Sequence, residues 1–226
     1  MRLFNLILLI SGTFFSHSAF SNALDAEALK RMRNNADLPF EAHIVSDNPE
    51  SFGNALALNV QYEPVKALRP IIEETIGRDL KFLTAWNPEG EAHVTVITPP
   101  EYVFTLRHHI SMERIHEIAR EYEIQKSDIQ VLGIGSAKRD IDGSEEETFF
   151  VIVDSKNLRE IRYKIYEEYV VNGGAPESFD PTWFFPHITI GYTKTDLHEN
   201  SGVLKNIKHS YDQRFGSLDI EAVNQD

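Results

Sequence analysis

The chain has 226 residues, no cysteine, and 35 acidic against 22 Lys and Arg side chains, a formal net charge of −13. Without cysteine there are no disulfides, thiolate metal sites or cysteine nucleophiles. A surface this acidic repels polyphosphate and weighs against tight, sequence-independent binding of long nucleic acid; a small phosphorylated ligand needs only local positive potential.

The chain opens on Met1-Arg2-Leu3-Phe4, follows with an apolar run to Ile10, and reaches Ser21-Asn22-Ala23 before its first acid, Asp25. One early positive charge, a short apolar centre and small residues near the end read as a secretory signal peptide over 1–23, which implies export to a periplasm or the exterior. The run is too short for a stable membrane anchor, which needs about 20 apolar residues, and no later segment supplies one. About 200 residues then remain, enough for one domain or two intimately packed halves. Residues 24–54 read as an N-terminal extension: a helical stretch at 24–34, then Pro39 and Asp47-Asn48-Pro49 as interruptions.

From Ala55 the alternation predicts a strand, and Glu63-Pro64 opens a helix with Val65, Leu68, Ile71, Ile72 and Ile76 at helical spacing, closed by Gly77. Residues 92–98 are a short β-branched strand stopped by Pro99-Pro100. A second helix runs from Ser111 to Tyr122. Strands at 129–136 and 148–154 flank a turn-forming loop at 140–147 and read as an antiparallel pair. Ser155 caps a third helix reaching about Val171. Phe185 to Tyr192 and Ser217 to Val223 complete the strands. Residues 55–226 therefore read as an α+β domain: two similar lobes of antiparallel sheet facing a central cleft, with helices on the outer faces.

Two tetrapeptides carry chemistry, His93-Val94-Thr95-Val96 and His187-Ile188-Thr189-Ile190. In a strand, residues i and i+2 share a face, so each places an imidazole beside a hydroxyl and turns two β-branched side chains the other way. Cleaving a phosphodiester without a metal needs a base for the attacking oxygen and an acid for the leaving one. Two histidines can divide that work near neutral pH, and threonine hydroxyls can donate to non-bridging phosphoryl oxygens.

These motifs resemble those of the two-histidine (2H) phosphoesterase superfamily, whose members carry two His-x-Thr/Ser-x motifs roughly eighty to a hundred residues apart. Here 94 positions separate His93 from His187, and Phe184-Phe185-Pro186 precedes the second motif as an aromatic and proline commonly do in that family. The resemblance runs from about Ala55 to Val223. It implies catalytic His93 and His187, substrate-binding Thr95 and Thr189, no cofactor or metal, and action on 2′,3′-cyclic phosphates, 2′-5′ linkages or related nucleotide and RNA ends. The alternative is a secreted module that keeps the cleft to bind a nucleotide without turnover.

Three further groups of residues carry weaker signals. Arg107-His108-His109 could add a phosphate contact, or simply end a solvated loop. Tyr102, Trp183, Phe185 and Tyr192 flank the motif strands, where one could stack on a nucleobase or pack the core. Asp154 or Asp180 could join the histidines around zinc or iron, but the recurrent threonine argues for phosphate, since a hydroxyl is a poor metal ligand.

Overall fold

The computed structural model describes residues 54–85 and 87–215. The leader, nearly all of the extension and the closing strand expected at 217–223 lie outside the described residues. Alternating small and apolar residues make β1 (Leu56–Asn59), and Tyr62–Ile76 form α1, which ends at Gly77 in the left-handed conformation at φ 67°. The first motif is β2 (His93–Ile97). Pro99 and Pro100 end that strand and also start a helix, α2 (Pro99–Phe104). Thr98 accepts from the Glu101 backbone N–H while Glu101 reaches back to the Thr98 N–H, a reciprocal cap spelled Thr-Pro-Pro-Glu. Ser111 caps α3 (Met112–Glu121).

The hairpin is longer than its alternation suggests. β3 (Gln130–Ile141) and β4 (Ser144–Asp154) pair through Asp140↔Glu145 and Lys138↔Glu147, so most of the expected loop at 140–147 is strand. The turn is Asp142-Gly143, both at positive φ (53° and 78°), matching the twist of an antiparallel ribbon, and Asp140 Oδ1 accepts from the Gly143 N–H at 2.9 Å. Helix α4 (Lys156–Val171), capped by Ser155, leads through the 172–186 loop to the second motif, β5 (His187–Tyr192); a short α5 (Ile207–Ser210) follows.

The α+β class holds. The strands of the described residues form one five-stranded sheet in the order β1-β2-β5-β4-β3, every neighbour antiparallel, where two facing sheets were expected. Burial gives the reason. Val94, Val96, Ile188 and Ile190 are at most 1% exposed, and lying side by side in one sheet buries all four against one layer, with α4 against β2 and α1 against β5. Each such side chain contributes roughly 1.5–3 kcal/mol on burial.

Arg162 of α4 fixes both motif strands to this layer. Only 1% exposed, it donates to the Val96 carbonyl at the end of β2 (2.6 Å), to Glu101 of α2 (2.8 Å), and to the Pro181 and Trp183 carbonyls (3.2 Å each) in the loop that delivers β5. Its charge is thus paired and its donors are shared among backbone acceptors, as a buried guanidinium requires.

Candidate active site

β2 and β5 pair through Val94↔Ile188. Continuing that antiparallel register by one residue each way sets His93 opposite Thr189 and Thr95 opposite His187. All four lie on the face turned away from the buried Val and Ile side chains, so each histidine stands beside its own threonine along the strand and across from the other's. Directly opposed Cβ atoms in such a ladder are about 4.5–5.5 Å apart and diagonal neighbours about 7–8 Å, which brings His93 and His187 within reach of one phosphate. The sequence-predicted residues therefore meet on one surface of the sheet.

His187 has a defined tautomer. Its Nδ1 lies 2.8 Å from the Phe185 carbonyl oxygen. A carbonyl only accepts, so Nδ1 carries the hydrogen and neutral Nε2 carries the lone pair. The Phe150 ring stands edge-on at 5.7 Å. Burial, and next the Lys205 charge, push the imidazole down to about 3, outweighing the Phe185 bond and Asp196, which act the other way.

Beside it lies a charged cluster that no motif announces. Asp196 accepts from Thr148 Oγ1 (2.6 Å), Thr189 Oγ1 (3.1 Å) and Lys205 Nζ (2.9 Å), and His198 Nε2 lies 3.7 Å away. Lys205 is 3% exposed and sits over the face of Phe150 at 5.3 Å. Burial alone would raise the Asp196 carboxyl, but Lys205, His198 and the donated hydrogen bonds together hold it well below the usual carboxylate range. Asp196 comes seven residues after Thr189 and Lys205 nine after that, in loop with no periodicity, which is why sequence pattern misses both.

An acid dependence of stability follows. The unfolded chain binds a proton at His187 near pH 6.5, whereas the folded chain resists it down to about 3. The unfolded state thus holds more protons in that window, and the stabilisation present above pH 6.5 is lost as pH falls, by up to about 1.4 kcal/mol per pH unit. Asp196, whose pKa is also depressed on folding, loses its contribution in the same direction below its ordinary range. Urea unfolding at pH 7, 6, 5 and 4 is expected to show a steep decline that His187→Asn flattens; parallel curves for the two proteins would contradict the burial of a neutral His187.

Elsewhere the weaker signals resolve into packing. His109 Nδ1 lies 3.0 Å from the Asn172 carbonyl and its ring packs edge-on against Tyr169 at 5.2 Å, so it docks on the end of α4. The Tyr102 hydroxyl accepts from the Met112 N–H inside the core, and that of Tyr192 donates to the Phe82 carbonyl. Asp154 pairs with Arg159 and Asp180 binds the Thr182 hydroxyl and N–H; neither turns to a motif histidine. Among the described residues no three His, Asp or Glu side chains are grouped to hold a metal. Trp183 differs: it is 51% exposed, donates its indole N–H to Glu199, and stands edge-on to Phe185 at 4.9 Å, two residues before His187.

Comparison with known proteins gave no match among curated proteins and none among solved structures. A family model described as "Swiss Army Knife, 2H phosphoesterase domain" matches residues 54–198. That span begins two residues before β1, takes in both His-x-Thr strands and the whole sheet, and closes on His198 beside Asp196; with it comes phosphodiesterase-type chemistry in general, and the chain belongs to the 2H phosphoesterase family.

Proposed function

We propose that the chain is an exported, metal-independent phosphodiesterase acting on a 2′,3′-cyclic phosphate, a 2′-5′ linkage or a related nucleotide or RNA end, with His187 as general base and His93 as general acid. The observation that carries this reading is the tautomer of His187. With Nδ1–H held by the Phe185 carbonyl, the nitrogen left for chemistry is Nε2, which bears a lone pair in the neutral ring. Burial, and next Lys205, keep the ring neutral in the free enzyme, and the negative charge of a bound phosphodiester raises its basicity as the reaction starts.

A water then attacks phosphorus. Its proton passes to His187 Nε2, the P–O bond to a ribose oxygen breaks, and His93 protonates that oxygen as it leaves. The two imidazoles exchange protons with solvent to return to their starting states. Thr95, on the same face, donates to a non-bridging oxygen and steadies the growing charge. Trp183 and Phe185 provide an exposed aromatic edge next to His187 for the base of a nucleotide. The duplicated plan enters as two halves, β1-β2 and β5-β4-β3, that meet at the motif strands, and residues 1–23 as the leader that exports the enzyme.

The test is a screen of the purified chain against 2′,3′-cyclic nucleotides, 2′-5′ dinucleotides and short RNA ends in the presence of a chelator. The expected result is turnover of at least one class; binding of nucleotide without turnover of any would replace the enzyme with a binding module.

A further inference from the structure

Among the described residues a buried ion pair stands against Thr189 of the second motif and none against Thr95 of the first, and the direction of the hydrogen bond has a chemical consequence. Asp196 accepts from Thr189 on Oδ2, and from Thr148 and Lys205 on Oδ1. An ionised carboxylate has no proton to give, so the Thr189 hydroxyl is the donor and its own proton points at Asp196. What remains to face the site is the lone pairs of Thr189 Oγ1. Among the described residues no carboxylate takes the Thr95 hydroxyl in this way, so the two motifs, alike in sequence, are unlike in polarity.

We propose that Asp196, held by Lys205, is a positioning residue that makes Thr189 a hydrogen-bond acceptor for the attacking group and thereby selects water over an alcohol as nucleophile. The inference rests on the phosphodiesterase reading above. Water has two protons: one goes to His187 Nε2, and the second is free to bond Thr189 Oγ1, two residues along the same strand face, roughly 6.5–7 Å from Cβ to Cβ. An alcohol, including a ribose hydroxyl, has one proton. Once His187 takes it, the alcohol has nothing to offer Thr189 and sets a carbon against the lone pairs, an unpaired polar contact of the kind that discriminates strongly between substrates. The site so arranged hydrolyses in preference to transferring the phosphoryl group to another sugar. Thr148 and Lys205 hold the far oxygen of Asp196, and His198 approaches the near one, so the carboxylate has no freedom to turn.

Asp196→Asn reverses the contact. The Lys205 ammonium can only donate, so the amide oxygen takes the Oδ1 position, where the Thr148 hydroxyl also donates to it, and the NH2 group faces Thr189, donating to Oγ1 and freeing the threonine proton to face the site. The experiment opens a 2′,3′-cyclic nucleotide in mixed water and methanol and reads the ratio of methyl ester to hydrolysis product by phosphorus NMR. That ratio is independent of how much enzyme is active or how stable it is. The wild type is expected to favour water, and D196N to raise the methyl ester fraction several-fold. In the Thr189→Val background the same substitution is expected to leave the ratio unchanged, because Asp196 acts through that hydroxyl. An equal ratio in wild type and D196N, or an equal shift with and without Thr189, would overturn the proposal. If D196N does not fold, D196L/K205M, which removes both charges of the pair and leaves the threonine proton free, takes its place with the same expected and overturning ratios. A wild-type chain that opens no phosphodiester would end the phosphodiesterase reading itself. The Thr189 hydroxyl proton then decides the geometry alone: slow exchange in proton NMR upholds the hold of Asp196, and fast exchange refutes it.

Discussion

Replacing His187 with alanine is expected to lower kcat on a 2′,3′-cyclic phosphate by about 10²- to 10⁴-fold, the range that a positioned acid or base contributes. The substitution removes the lone pair that the Phe185 carbonyl turns toward the site; Thr189 Oγ1 is far too weak a base to replace it, and Lys205 and the His198 Nε2 are both turned to Asp196. The fold keeps its other contacts. The apolar side of β5, Ile188 and Ile190, is untouched, and the lost ring contact is with the Phe150 edge. His93→Ala is expected to cost a similar factor by removing the acid, and the double variant little more than either alone, because acid and base act in one step. Single-turnover rates on variants with unchanged circular dichroism measure this. Wild-type turnover by either variant would remove that histidine from the reaction.

The largest effect on stability is expected from Arg162→Leu. The guanidinium is buried, and deleting it leaves the Val96, Pro181 and Trp183 carbonyls without their donor and the Glu101 carboxylate without its counter-charge. Breaking a buried pair from one side costs about 3–5 kcal/mol, a large part of the stability of an ordinary domain. Leucine fills part of the volume between Phe179 and Phe184, whose faces the guanidinium covers at 4.9 and 4.8 Å, and offers nothing to the oxygens. Because Arg162 ties the end of β2 to the loop before β5, the variant is also expected to lose turnover at temperatures where it is still folded. Urea midpoints compared at one pH test the first part; a change under 1 kcal/mol would mean that water takes over the bonds.

How far the sequence reveals this molecule differs from element to element. The helices at 62–76, 112–121 and 156–171 follow from apolar spacing with Ser and Gly at their ends, because burial period and capping are local physics. The motif strands follow from β-branched alternation. The short α2 was hidden by its own start signal, since Pro99-Pro100 ends a strand and opens a helix equally well until Thr98 and Glu101 are read together as a cap. The long hairpin was hidden by charge: Glu145, Glu146 and Glu147 look like loop, yet Glu147 lies in the ladder paired with Lys138 and Arg214. The four motif residues were legible because the same-face rule needs only two positions of sequence. Asp196 and Lys205 were not, because their proximity to Thr189 arises from the chain doubling back after β5. Nor was the joining of the strands into one sheet, which depends on pairing between segments 94 residues apart.

The measurement that bears most directly on the two-histidine mechanism is kcat/KM on a cyclic phosphate from about pH 3 to 9, with and without EDTA, using initial rates on enzyme that returns to full activity at neutral pH. The base must be neutral and the acid protonated, so the rate falls on both sides and the profile is a bell whose limbs belong to the coupled pair. Burial and Lys205 hold His187 down to about 3 in the free enzyme, so the acid limb of the pair is expected well below the ordinary imidazole range near 6.5, with an alkaline limb where the pair loses its acid. EDTA is expected to leave the bell in place, since neither proton transfer passes through a metal-bound hydroxide. A rate that climbs to an alkaline plateau and disappears in EDTA would contradict the two-histidine mechanism and assign the chemistry to a metal.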